Sequence, residues 1–271
     1  MGAVKETIFA GGVVYTRIIW ARTRRNGEKR NKRAQITTEA VEKLNAKNAE
    51  RTFSIKLNHN FNPGDYFLTL TYKDAPKKEE AMKAIKKYID TLRRLCKKSK
   101  SELKWMLVTE YENKRIHHHL VVNNVMSIQE LAKLWEHGMV RDTILESSRD
   151  YRKLANYLMK ETSKTFRKPE APSRLRYSCS RNLNMPPVYR EEVGAIELFE
   201  SPEAMKGYHV DEESVYYGEN PFTGRPYLEY VQLPLGKAKM RLNKCEKRRY
   251  KSEIHDLWIK RNGEKQMTLA D

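Results

Sequence analysis

Of the chain's 271 residues, 53 are Lys or Arg and 35 are Asp or Glu, a formal charge of +18 with an isoelectric point near 9.7. That excess favours a polyanionic partner, because every neutralised phosphate releases condensed counterions. A hydrophobic content of 39% and an aromatic content of 10% provide for a packed core and exclude a wholly disordered chain, while a mean hydropathy of −0.81 implies a very polar surface.

In chain order, residues 1–20 alternate about Gly11-Gly12 as a short hairpin does, with Ile8 on one arm and Val13, Val14, Tyr15, Ile18 and Ile19 on the other. The run Arg22–Arg33 reads as a basic loop, either solvated or placed to hold DNA. Residues 38–59 predict a polar helix opened by Thr38, and Asn62-Pro63-Gly64-Asp65 a turn. Phe67–Tyr72 (FLTLTY) predicts a strand, and Lys77–Lys98 a helix with Met82, Ile85, Ile89, Leu92 and Cys96 along one side. Leu103–Tyr111 is a second strand, Asn113-Lys114-Arg115 a turn, and Ile116–Asn123 (IHHHLVVN) a third strand folding back as a hairpin. Ser127 opens a helix through Trp135 that Gly138 ends; Met139–Leu145 is a fourth strand and Asp150–Lys164 a last helix.

The order β-α-β-β-α-β-α is that of an α+β, ferredoxin-like or RRM-like split βαβ. It predicts an antiparallel sheet with helices on one face and the other face open to a polyanion. Beyond Lys164, residues 193–199 and 226–233 read as strands, the second following a turn at Asn220–Gly224. The tail from Lys237 to Gln266 is dense in Lys and Arg. Cys96, Cys179 and Cys245 form no CxxC pair, so neither a disulfide framework nor a zinc ribbon is expected, as suits a reducing cytosol. With no apolar leader and no stretch long enough to span a bilayer, the expected location is the cytoplasm, away from membranes.

The sharpest local feature is the histidine run. Residues two apart on a strand point the same way, so His117 and His119 share a face and His118 takes the other. Two imidazoles side by side are half of a divalent-metal site. Glu110, at the end of the preceding strand, supplies a carboxylate about where a cross-strand neighbour of His117 falls. The competing reading is a chance run of one core and two surface rings. In the last helix Lys153, Tyr157, Lys160 and Lys164 form one stripe, with Tyr151, Leu154, Leu158 and Thr162 on the stripe beside it. Tyr157 is then either an amphipathic ring at the core's edge or a nucleophile. A phenol with an ordinary pKa of about 10 attacks phosphorus more readily where cations stabilise phenolate.

Taken together, these motifs resemble the rolling-circle replication initiators of the HUH endonuclease superfamily, among them replication-associated proteins of phages and mobile elements such as the gene II proteins of filamentous phages. FLTLTY (67–72) resembles the family's first motif, RIHHHLVVN (115–123) its His-hydrophobic-His motif and YLMKE (157–161) its Tyr-x-x-Lys motif. The resemblance covers residues 1–235, most specifically 61–165, and departs from the family in placing His118 where an apolar residue is usual. Glu161 stands where some relatives carry a second tyrosine, which implies a one-tyrosine mechanism.

The resemblance implies that Glu110, His117 and His119 hold Mn²⁺ or Mg²⁺, that Tyr157 is the nucleophile and that Lys160 positions it or meets the phosphate. Thr69, Thr71, Lys153 and Lys164 are the expected DNA contacts. The partner implied is single-stranded DNA at an origin or hairpin. A host helicase is also implied, because no Walker-type phosphate loop occurs in the chain. The expected organisation is a basic N-terminal extension (1–60), an endonuclease core (61–168), a C-terminal accessory segment (169–236) and a basic tail (237–271). A relaxase or single-strand transposase shares the same chemistry, and a non-catalytic RRM-like module shares the element order.

Overall fold

A computed structural model of the chain describes residues 2–21, 39–111, 115–146, 148–165 and 175–235, the side chains at 161 and 163–165 excepted. The basic run Arg22–Arg33, Thr38, part of the turn at 112–114 and the tail from 237 lie outside the described residues. The described fold is mixed α+β, with two antiparallel five-stranded sheets and four helices.

The first sheet holds β3 (Tyr66–Leu70), β4 (Trp105–Glu110), β5 (His117–Val122), β6 (Val140–Ile144) and β7 (Ser178–Cys179) in the order β6-β3-β5-β4-β7. Helix α2 (Lys78–Lys98) links β3 to β4, α3 (Ile128–Lys133) links β5 to β6, and α4 (Arg152–Thr165) follows β6. The start of α3 carries a reciprocal cap: Ser127 Oγ accepts from Glu130 N at 3.3 Å, and the Glu130 carboxylate accepts from Ser127 N at 2.8 Å. The 3.6-residue period of α2 buries Ala81, Ile85, Tyr88, Ile89, Leu92 and Cys96 against Leu68, Leu70, Leu107, Leu120 and Val122 of the sheet. Each large apolar side chain buried there contributes roughly 1.5–3 kcal/mol.

The opposite face is not open, which corrects the sequence-based expectation. Met106, Val108 and Val121 on that face pack with Phe53, Leu57 and Phe61 at the end of α1 (Glu39–Asn60) and with Tyr151, Ala155, Leu158 and Met159 of α4. The reason lies in the strands themselves. In Trp105–Val108 and Leu120–Val122 both alternating sets of side chains are apolar, and a sheet apolar on both faces must be covered on both.

The second sheet joins the two ends of the described chain. The hairpin β1 (Ala3–Ala10) and β2 (Val13–Trp20) pairs through β1 with β8 (Val188–Val193), and through β2 with β10 (Pro226–Pro234), which pairs with β9 (Tyr208–Glu219). Gly11 makes the hairpin turn at φ 64°, and a Cβ there would lie 2.5 Å from the Asn58 carbonyl oxygen; both facts demand glycine. The predicted strand at 193–199 is instead β8, ending at Val193, followed by a 3-10 turn at Ala195–Leu198. The twelve-residue β9 carries no run of buried residues and gave no sequence signal.

Helix α1 packs against both sheets, Ile55 with Ile8, Val13, Tyr15 and Val231 of the second and Phe53 with the first. Buried polar groups register it there. Tyr15 Oη lies 2.6 Å from Ser54 Oγ and accepts from Asn58 Nδ2 at 2.7 Å, and Asn58 Oδ1 accepts from Tyr151 N, just before α4, at 2.7 Å. Burial pushes the Tyr15 phenol up to about 12, so it remains protonated within this chain of bonds. Glu229 of β10, 6% exposed, meets Arg17 of β2 and Lys47 and Arg51 of α1, the last two at 3.1 and 3.8 Å. Arg152 fixes the start of α4 by bonding Asp150 at 2.7 Å and Asp211 of β9 at 2.6 Å. No helix among the described residues is long and apolar enough to cross a membrane.

Candidate metal centre

Register places the histidine run. In the β4–β5 ladder Glu110 stands directly opposite His117, and His119 stands opposite Val108 on one side and Thr69 of β3 on the other. Directly opposed residues share a face, so Glu110, His117, His119 and Thr69 project together on the side of α1 and α4. His118 projects to the α2 side.

The three candidate ligands converge. One ligand atom from each of Glu110, His117 and His119 lies within 4.8 Å of the other two. The two Glu110 oxygens divide between them: Oε2 is 3.1 Å from His117 Nε2 and Oε1 is 3.1 Å from His119 Nε2. On the far side of each ring, His117 Nδ1 is 2.9 Å from the Arg115 carbonyl oxygen and His119 Nδ1 is 3.2 Å from Thr69 Oγ1. A ring whose Nδ1–H is donated outward offers its Nε2 lone pair inward, the orientation that outer partners impose on metal-binding histidines. Phe67 stacks on His119 with centroids 5.5 Å apart and 21° between planes, which further fixes that ring. Burial by itself raises the Glu110 pKa, but the hydrogen bonds and charge of His117 and His119 outweigh it and hold the carboxyl at about 2. The donor set therefore fits a divalent ion: two imidazoles, which bind metal through a ring nitrogen lone pair, and one ionised carboxylate, with further coordination positions left to other ligands.

His118 has a different role. Fully buried, it lies 2.8 Å from Tyr72 Oη through Nε2 and 2.9 Å from Thr109 Oγ1 through Nδ1, while Tyr72 Oη donates to the Ala81 carbonyl at 3.1 Å. Burial, reinforced by the charges of His117 and His119, lowers its pKa to about 3 and keeps it neutral. A neutral, fully bonded histidine thus occupies a core position, which is how this sequence accommodates a polar residue there.

Tyr157 comes to the cluster from α4. Its ring meets that of His119 edge-to-face, centroids 5.5 Å apart at 73°, and the residue is 50% exposed. Helical spacing sets Leu158 and Met159 into the core and leaves Lys153 and Lys160 exposed beside Tyr157 on α4. The side chain of Lys164 lies outside the described residues. Both threonines expected to touch DNA have protein partners here: Thr69 bonds His119, and Thr71 Oγ1 donates to the Met139 carbonyl at 2.9 Å. Sequence reasoning missed the Thr69–His119 and Phe67–His119 pairs, because both depend on the β3–β5 register.

Among known proteins, no curated protein and no solved structure matches the chain significantly. Residues 65–166, the stretch that supplies Thr69, Glu110, His117, His119 and Tyr157, match the family model described as Replication-associated protein ORF2/G2P.

Proposed function

We propose that the chain is a metal-dependent, single-tyrosine nickase of the HUH type that cuts and rejoins single-stranded DNA to initiate rolling-circle replication. The observation that carries this reading is the packing of the Tyr157 ring on His119 at the edge of the Glu110–His117–His119 cluster. The match of residues 65–166 to a replication-associated family supports it. So does the order of the first sheet, in which the four strands of the β-α-β-β-α-β unit lie fourth-first-third-second, as in a ferredoxin-like split βαβ.

In this reading Glu110, His117 and His119 hold Mn²⁺ or Mg²⁺, which when bound neutralises charge on the scissile phosphate's non-bridging oxygens. Thr69 and the Arg115 carbonyl keep both imidazoles turned inward. Tyr157 Oη gives up its proton and attacks phosphorus. The new bond is Tyr157 O–P, the bond broken is P–O3′, and the departing oxygen takes a proton to become a free 3′-OH. Because the 5′-phosphotyrosine retains the bond's energy, attack by a 3′-OH reverses the step without ATP. Lys160 and Lys153 flank Tyr157 and supply positive charge for the incoming strand. A host helicase would open duplex DNA, and the reaction belongs in the cytoplasm.

The test is a cleavage assay on pooled single-stranded oligonucleotides, including candidate origin hairpins, in Mn²⁺ with and without EDTA. Wild-type protein is expected to form a covalent adduct that resists denaturing electrophoresis and is lost on chelation or in Tyr157→Phe. Binding that leaves every strand intact would overturn the nickase reading in favour of an RRM-like binding module.

A further inference from the structure

The cluster lies in a cross-strand row that continues to the edge of the sheet. His119 of β5 is opposite Thr69 of β3, and Thr69 is opposite Arg141 of β6. The three therefore share a face, with Arg141 two strand spacings, roughly 10 Å, from His119. β6 is the last strand of its sheet, and Arg141 is exposed. Among the described residues Arg141 has no ion pair. Asp142, its neighbour in sequence, takes the other face of the strand.

The same face is closed elsewhere. α1 covers its end at Leu145, just past β6, through Phe53, Leu57 and Phe61, and α4 covers β4. Half-exposed Tyr157, half-buried Thr69 and exposed Arg141 and Thr143 mark the strip left uncovered, which runs from the cluster to the β6 edge. A strand engaged at the cluster can leave along that strip, and its first cation there is Arg141.

We propose that Arg141 binds a backbone phosphate of the DNA strand where it passes from the metal cluster over Thr69 to the β6 edge. The assignment rests on the single-stranded DNA reading above. It gives Arg141 a positioning role, on the same face as His119 and two strands away. A guanidinium suits it, offering paired donors to phosphate oxygens.

The test measures binding of a fluorescein-labelled single-stranded oligonucleotide over a salt series in Mn²⁺, in a Tyr157→Phe background that cannot cleave. Arg141→Ala is expected to weaken binding and to make the plot of log K against log salt shallower by about 0.7, the value for one lost phosphate contact on single-stranded DNA. Arg141→Lys is expected to keep the parent slope. Mn²⁺ affinity, read by calorimetry on the same samples, reports whether the fold and cluster are intact. If the parent binds DNA and Arg141→Ala matches its slope and affinity with Mn²⁺ binding preserved, Arg141 has no such role and the nickase reading stands. If the parent binds no single-stranded DNA at all, both fall together.

Discussion

Replacing Thr69 by Val keeps the side chain's shape and removes only its oxygen, so it isolates the Thr69–His119 hydrogen bond. With a metal on Nε2, the His119 proton must reside on Nδ1, and Thr69 Oγ1, 3.2 Å away, is its acceptor. His119 is 3% exposed, so water cannot substitute. In Thr69→Val the metal-bound ring would carry a buried N–H with no acceptor, a penalty of roughly 1–3 kcal/mol. The metal-free ring is hurt less, because its proton can move to Nε2 and be donated to Glu110 Oε1 at 3.1 Å. The separation of 3.2 Å is long for such a bond, which points to the lower part of the range. A differential of about 1–2 kcal/mol corresponds to Mn²⁺ binding weakened about 5- to 30-fold, in line with the ~10–100-fold typical of removing a metal ligand's outer partner. Calorimetric titration of wild type, Thr69→Val and Thr69→Ser with MnCl₂ measures this directly. Thr69→Ser should stay near wild type. If Thr69→Val binds Mn²⁺ within twofold of wild type, the hydroxyl does not set the ring's proton. If Ser behaves like Val, the methyl group's packing matters and not the hydrogen bond.

Two further outcomes follow from the fold. Glu229→Gln leaves Arg17, Lys47 and Arg51 together without their common carboxylate and should cost about 3 kcal/mol in urea unfolding at neutral pH. This is the low end for breaking a buried pair, since the Arg17 side chain keeps some access to water; a loss under ~1 kcal/mol would mean the cluster is effectively solvated. Burial raises the Glu229 pKa, but Arg17, Lys47 and Arg51 outweigh it and hold it below the ordinary value of 4.5. Its contribution is therefore present above that value and lost as pH falls through the folded pKa, so the gap between wild type and Glu229→Gln should close in acid. Gly138→Ala places a Cβ 2.4 Å from the Thr71 carbonyl oxygen and 2.8 Å from Lys73 N, all backbone that cannot rotate aside. A destabilisation of ~1–3 kcal/mol is expected by thermal or urea unfolding, and an unchanged midpoint would show that the loop yields freely.

Much of the first sheet and its cluster was legible in the chain because the governing distances are short in sequence. Glu110, His117 and His119 sit within one hairpin, so a period of two and a tight connection were enough to place them on one face. The same alternation sent His118 the other way, but only the packed core shows Tyr72 and Thr109 waiting to satisfy it. Helix α2 announced itself by its apolar stripe. The covered second face was also present in the sequence, as the unbroken apolar runs of β4 and β5, yet nothing local says which helices supply the cover.

What the tertiary structure alone decided depends on partners far apart along the chain. The second sheet brings β1 and β2 against strands about two hundred residues away, with Arg190 bonded to Glu6 at 2.9 Å. β8 and β9 are largely exposed and polar, so they carry no alternation to reveal them. Their strand character comes from backbone pairing with neighbours that the sequence does not name. The approach of Tyr157 to His119 is of the same kind. It requires α4 to be set down at one place on the sheet, and Asn58, Asp150 and Asp211 hold its first turn there. Side-chain periodicity is a local property and survives in one dimension, whereas the register of distant strands and the seating of a helix are set by packing and buried hydrogen bonds that exist only once the chain has closed on itself.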